Sequence, residues 1–230
     1  MYKRQLLAGL LLFFVILIQI RALRFAYMRL GLSSGAAMLL LVASLVGSYF
    51  NIPLTELPQR HVTSGEVISF FGMRYVVPVV VDWPGTVIAI NVGGGLIPSL
   101  MAVYLMARNG LWVLGTIAII CVAAVCHMIA QPIAGLGIAL PVFVPAVTTA
   151  VVALVLSRRF VAPLAYIGGS LGTLIGADLL NLDKVQSLGA PVASIGGAGT
   201  FDGVFITGIL AVLLASITLP GHRQVERTDA

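Results

Sequence analysis

Long apolar runs separated by short polar connections set the pattern of this chain from one end to the other. Stretches at 5–20, 31–50, 85–107, 111–130, 138–157, 161–181 and 203–219 each approach the roughly 20 apolar residues with which an α-helix crosses a hydrocarbon layer. The pattern predicts an all-α integral membrane protein with six or seven transmembrane helices. The count turns on the first stretch, because Lys3 and Arg4 ahead of Leu6–Ile18 also have the layout of a secretory signal peptide. No small-residue cleavage pattern follows, so a retained helix or signal anchor is expected. Arg21, Arg24 and Arg29 among Phe25, Tyr27 and Met28 suit a short linker at headgroup level.

The longest interruption, 51–84, alternates differently. Two β-rich runs, Glu66–Phe71 and Arg74–Val81, flank Gly72 and predict a small extracytoplasmic hairpin, with Pro78 restricting the second run to a sheet edge. Asp82-Trp83-Pro84-Gly85 ends it, Trp83 standing where an interfacial aromatic anchor is expected. The whole chain, 1–230, reads as a single polytopic membrane domain. Its last ten residues, 221–230, read as a flexible polar tail.

Composition agrees with this reading: 60% of the 230 residues are hydrophobic, 9% are charged, and the mean hydropathy is +1.09. Of the thirteen Lys and Arg residues, Lys3, Arg4, Arg60, Arg74 and Lys184 fall on one face of the seven-span arrangement and eight fall on the other. The positive-inside rule makes the second face cytoplasmic, which puts the protein in the cell inner (plasma) membrane with its C-terminus inside. The net charge of +5 then belongs to anionic lipid, and no nucleic-acid partner is implied. Cys121 and Cys126 lie five apart on different faces of one helix, cannot bridge one another, and read as packing residues.

The polar residues inside the apolar runs converge. Asn51, Asn91, His127, Gln131, Asp178, Asn181 and Asp202 all map to the outer third of the membrane. Ionisable groups at such depth are costly and mark functional sites by default. Glycine and proline gather at the same level. Asn91-Val-Gly93-Gly94-Gly95-Leu-Ile-Pro98 predicts a broken helix lining a cavity, and Pro132–Gly137 predicts a tight, re-entrant bend. Close helix packing through small residues explains the glycines equally well.

Together Asn51-Ile-Pro53, Asn91-x-Gly93-Gly94-x-x-Ile97-Pro98, Pro132-x-x-Gly135-x-Gly137-Ile138, Gly176-Ala-Asp178-Leu-x-Asn181-Leu182 and Gly196-Gly-Ala-Gly199-Thr200-Phe-Asp202-Gly203 resemble the prokaryotic membrane proteins of domain-of-unknown-function family 1614. That resemblance implies membrane location and no particular reaction. Gly176-Ala-Asp178 and Gly199-Thr200-Phe-Asp202 bear a fainter resemblance to the glycine-led aspartate motif of presenilin-like and prepilin-type intramembrane proteases. Thr200 and Phe201 interrupt that motif here, and Ile138-Ala-Leu-Pro141, which comes nearest to its Pro-Ala-Leu element, precedes the aspartates instead of following them.

Asp178 and Asp202 are the candidate catalytic pair. Two carboxylates within about 3 Å cannot both ionise, so one can donate to a scissile carbonyl while the other activates water. Asn51, Asn91, Gly93, Gly94, His127, Gln131, Asn181, Gly199 and Thr200 are the candidate binding residues around them. Intramembrane hydrolysis of a transmembrane peptide is therefore the leading expectation. A cation- or proton-coupled transporter or channel, using the same oxygens as hard ligands, is the alternative. A non-enzymatic scaffold subunit is a further one.

Simpler roles compete at each residue. Asp202 suits a helix N-terminus, with Thr200 as rival cap. Asp178 sits at a helix C-terminus, where the dipole disfavours a carboxylate, so capping does not explain it. His127 has no partner at metal-ligand spacing, and Asn51 and Asn91 suit bonds to backbone exposed at helix breaks. No phosphate loop, dinucleotide fingerprint, nucleophile elbow or zinc motif occurs, so neither a cofactor nor a metal is expected.

Overall fold

The computed structural model describes residues 20–57, 60–70, 73–83, 85–133, 137–141, 143–185, 192–197 and 203–217. Expectations for the first apolar stretch, the polar tail, Asp202, Gly199 and Thr200 lie outside the described residues. Helices dominate. We number them α1 (20–29), α2 (Ser34–Gly47), α3 (Ile97–Asn109), α4 (Trp112–Ile129), α5 (Phe143–Leu156), α6 (Val161–Lys184) and α7 (Gly203–Ile217). Each of the helices α2 to α7 overlaps one of six of the seven predicted apolar stretches. Among the described residues two helices, α4 and α6, are long and apolar enough to cross a membrane.

α3 and α5 are shorter than the sequence pattern predicts because strands take up the beginnings of their stretches. The strands are β1 (Asn51–Leu57), β2 (Arg60–Phe70), β3 (Met73–Trp83), β4 (Thr86–Asn91), β5 (Gln131–Ile133), β6 (Gly137–Ala139) and β7 (Val192–Ile195). The expected hairpin is β2 with β3, antiparallel from Arg60↔Trp83 to Phe70↔Met73. Two further sheets correct the all-α expectation. β4 fills the first third of the stretch read as the third span, pairing with β1 antiparallel and with β7 parallel in the order β1-β4-β7. β5 and β6 pair where a re-entrant bend was expected, with Gln131 opposite Ala139. Thr86-Val-Ile-Ala-Ile is apolar enough for a membrane helix, but its β-branched residues favour the pleated backbone once partners exist on both sides.

Local signals explain most helix boundaries. Ser33 caps α2, its hydroxyl accepting the N–H of Ala36. Pro98 opens α3, and Gly110 closes it in the left-handed region at φ 64°. The stretch read as an interfacial linker is α1, with Ala26, Tyr27 and Leu30 buried against the bundle. The Arg108 side chain donates to the Gly31 carbonyl, bringing the α1–α2 turn to the same end of the molecule as the α3–α4 turn. The broken-helix expectation at 91–98 holds in a particular form: Val92–Leu96 is a π-helical turn leading directly into α3. α6 carries two more π segments, Gly168–Gly172 and Leu174–Asp178, in a glycine-rich sequence that resists the α-helical repeat weakly.

Two apolar clusters hold these elements. The larger joins α1, α2, α3, α5, α6 and α7 through residues such as Tyr27, Leu41, Leu105, Leu164 and Val212. The smaller joins the sheet to α6 and α7 through Ile88, Ile195, Leu174 and Val204. Outward-facing positions are also apolar: Leu39, Val113, Ile120, Met128 and Val155 are each more than 60% exposed. A surface of that kind is a lipid-facing or protein-facing surface, not one made for water.

Glycine lets the backbones approach. A Cβ on Gly93 would collide with the Ser44 carbonyl and the Ser48 amide of α2. One on Gly176 would collide with the backbone of Ala123 in α4, and one on Gly169 would stand 2.9 Å from Gly208 Cα in α7. Backbone cannot retreat as a flexible side chain can. Gly93→Ala is therefore expected to destabilise the protein by ~1–3 kcal/mol, the usual cost of overpacking. Gly35→Ala, where a Cβ meets nothing within 4 Å, is expected to leave the melting temperature unchanged or slightly raised. Thermal unfolding of the two variants in the same detergent checks the pair, and equal behaviour would contradict the contact.

Candidate polar site at the strand–helix junction

The strand-to-helix break at Asn91 places polar backbone inside an apolar region, and the Asn91 side chain meets it. The residue is fully buried. Its Nδ2 donates to the Ser48 carbonyl at 2.8 Å and to Asn51 Oδ1 at 3.1 Å, while its Oδ1 accepts the Gly94 N–H at 2.8 Å. Three of its four hydrogen-bonding positions are thus used to join α2, β1 and the π turn. Gly94 supplies the N–H and Gly93 the close approach to α2. These two predicted binding residues act through backbone.

Asn51 stands opposite Asn91 in the β1–β4 register. Its Oδ1 also accepts the Ser194 hydroxyl, at 2.7 Å, which brings in β7. Ser194 lies within 2.7 Å of the Gly197 carbonyl as well, so its single proton is shared or alternates between the two acceptors. β7 ends at Ile195, and the next residue, Gly196, has φ +83° and lies against Gly95, where a Cβ would be 2.5 Å from backbone. Only glycine fits both demands.

The Gly196 N–H points at Asp178 and donates to Oδ2 at 2.7 Å. Asp178 is thereby tied to the same sheet that carries Asn51 and Asn91. The links run from Asp178 through Gly196 and Ser194 to Asn51, then to Asn91 and Ser48, joining α6, β7, β1, β4 and α2. Asp178 sits at the end of the second π segment of α6, where the helix tightens into a 3-10 turn at Leu179–Asn181. No side-chain cap is made there.

The other predicted positions are placed differently. Asn181 is buried and turned onto its own helix: Nδ2 donates to the Gly176 and Ala177 carbonyls, both at 3.0 Å, and Oδ1 accepts Lys184 Nζ at 2.7 Å. That closes the frayed end of α6. His127 lies in the last turn of α4 with Nδ1 buried and no hydrogen-bond partner. Gln131 is exposed on β5. Asp183 is exposed, in the last turn of α6. Cys121 is exposed, whereas Cys126 is buried beside Thr173 at 3.8 Å, and both thiols are free. Among the described residues no group of three His, Cys, Asp or Glu is arranged to hold a metal.

Ser194 escaped the sequence reading, and Gly196 entered it only as the start of a glycine-rich motif. A four-residue strand without a charged residue leaves little signal, although the Ser-Ile-Gly-Gly ending is a turn pattern.

Removing the Asn91 side chain tests how much rests on it. Asn91→Ala would leave a buried carbonyl at Ser48 and a buried N–H at Gly94 unpaired, each costing about 1–3 kcal/mol. Asn91→Asp keeps the acceptor for Gly94 but loses both donations. The expected order of melting temperatures is wild type, then Asp, then Ala; an Asn91→Ala protein as stable as wild type would show that the network is dispensable.

No curated protein matches the chain, and no solved structure matches it. The family described as "Protein of unknown function (DUF1614)" matches residues 45–214, from the last turns of α2 to the middle of α7 and including every residue of the network around Asn91 and Asp178. That range is the greater part of the chain, and the protein belongs to this DUF1614 family.

Proposed function

We propose that this protein is a multi-pass membrane protein that hydrolyses peptide bonds within or at the edge of the bilayer, using Asp178 and Asp202 as a shared-proton pair. Membrane residence is supported by α4 and α6, by the apolar outward faces of α2, α4 and α5, and by the remaining apolar stretches of the sequence. The positive-inside count supports an inner-membrane orientation with the C-terminus in the cytoplasm and the sheets outside.

The observation that carries the catalytic reading is the packing of Val204. It belongs to one buried cluster with Leu174, a turn before Asp178, and with Ile195, next to the glycine that holds the Asp178 carboxylate. Asp202 precedes Val204 by two residues, so covalent geometry alone limits their Cα atoms to about 7 Å. The start of α7 is therefore anchored beside the end of α6 that bears the other acid. Asp178 keeps one oxygen on the Gly196 N–H, and the second acid would share a proton through the other.

Hydrolysis by such a pair follows from charge. The ionised member takes a proton from water, whose oxygen attacks the carbonyl carbon. The protonated member donates to the carbonyl oxygen, and the resulting diol collapses with proton transfer to the leaving amine. The transport alternative draws less support, because Oδ1 of Asn51, Asn91 and Asn181 already accepts at least one hydrogen bond each. The scaffold alternative would leave both acids structural.

A cross-link tests the pair without a known substrate. In a Cys121→Ala/Cys126→Ala background, Asp178→Cys with Asp202→Cys is expected to form a disulfide under mild oxidation, because bridging needs Cβ atoms about 3.5–4.5 Å apart. Failure to cross-link in folded protein would end the dyad reading. Reconstituted wild type is then expected to cleave single-span peptides, read by mass spectrometry, with Asp178→Asn and Asp202→Asn each lowering the rate by at least a hundredfold.

A further inference from the structure

Inside the larger apolar cluster is a group of hydroxyls that the network at the outer end does not use. Among the described residues the side-chain oxygens of Tyr27, Ser44, Tyr166, Ser170 and Thr207 are buried, and none closes a hydrogen bond of good geometry. All five residues are at least 97% buried. Unsatisfied buried oxygen is rare, because each such group loses its water without replacement.

Four of the five share one place. The rings of Tyr27 and Tyr166 stand 6.1 Å apart, tilted at 49°. The Tyr27 hydroxyl faces those of Tyr166 and Ser44, and the Tyr166 hydroxyl also faces that of Ser170, each pair close enough to interact although no well-formed hydrogen bond closes. Tyr27 comes from α1, Ser44 from α2, and Tyr166 and Ser170 from α6. Ser170 lies in the first π segment, where the backbone departs from the α-helical repeat, and its Oγ points at Gly208 of α7, so closely that a Cβ there would be 2.5 Å away. Thr207 is the neighbour of that glycine. π segments inside helices often accompany functional sites.

The lining selects its guest by charge. The side chains that meet here are the buried hydroxyls and the apolar residues of the larger cluster. A bare cation or anion would lose its hydration here without a counter-charge, at a cost of several kcal/mol. Hydroxyls both donate and accept, which suits a neutral molecule doing the same.

We propose that Tyr27, Ser44, Tyr166 and Ser170 line a buried site for a small uncharged hydrogen-bonding molecule, with water as its resident guest. Buried waters are found where several otherwise unpaired polar groups converge, with about three hydrogen bonds each. The site stands independently of the acid pair, since it uses neither aspartate.

Water-edited solid-state NMR of the full chain in lipid bilayers tests it. The protein has six tyrosines; replacing Tyr2, Tyr49, Tyr75 and Tyr104 by Phe leaves only Tyr27 and Tyr166 to carry a ring 13C label, without altering the site. Magnetisation is expected to pass from water to these two rings within a few-fold of the rate at exposed Tyr49 in the parent protein. Gly208→Ala, which pushes a methyl group toward Ser170 Oγ, is expected to slow that transfer. Absence of transfer to both rings in the folded parent would overturn the proposal and leave a dry group of unpaired hydroxyls. Thermal unfolding gives a second reading with a definite sign. Tyr166→Phe lowers the melting temperature if the hydroxyl is bonded to water, and raises it if the hydroxyl is buried dry.

Discussion

A backbone that leaves helical geometry in an apolar region must find partners for its N–H and C=O groups inside the protein. At residues 91–97 the chain changes from strand to π turn to α-helix within a few residues. The buried Asn91 carboxamide supplies what this change requires. Its donors take the last free carbonyl region of α2 and the side chain of Asn51, and its acceptor takes the first loose N–H of the π turn. The rest of the outer end is arranged around this junction: β1 and β7 flank β4, Gly196 presses against Gly95, and the Gly196 N–H reaches Asp178. The Asp178 carboxylate is thus held from the three-stranded sheet whose middle strand ends at Asn91.

Glycines make the junction compact enough to work. Gly93 against α2, Gly172 and Gly176 against α4, and Gly169 against Gly208 each place backbone where a side chain would stand. Close backbone contact of this kind lets helices pack through main-chain atoms where larger side chains would hold them apart. The same glycines permit the π segments of α6. Packing and helix irregularity therefore have one sequence cause, and both meet at the end of α6 that bears Asp178.

How much of this was legible in the sequence follows from the range of each signal. Apolar runs locate five of the helices within about five residues, whereas α3 begins twelve residues into its run because β4 and the π turn come first. The hairpin at 60–83 was legible because its turn and its β-branched runs are local. The sheet β1-β4-β7 was not, since its strands come from three distant segments and β4 is apolar enough to pass for a span. Asn51, Asn91 and Asp178 could be singled out as polar residues in apolar surroundings, but not the partners that define their roles. Asn181 looked like part of the same site, yet its donors close its own helix. Tyr27, Ser44, Tyr166 and Ser170 left no pattern at all, because a hydroxyl in an apolar helix is ordinary until its neighbours are known to be hydroxyls too.

The two polar regions differ in charge in the way their surroundings demand. Asp178 lies at the end of α6, where the strand-bound Gly196 N–H can reach it and the chain leaves the apolar bundle. Ser170, eight residues earlier and about 12 Å along a helix rising 1.5 Å per residue, belongs to a neutral group. An ionisable carboxyl at the deeper position would lack a fixed N–H to hold its charge and would cost several kcal/mol to ionise. Hydroxyls there cost far less, and can be satisfied by water. A chain that keeps its acid at the rim and only neutral donors below can place water within the bundle without placing charge there.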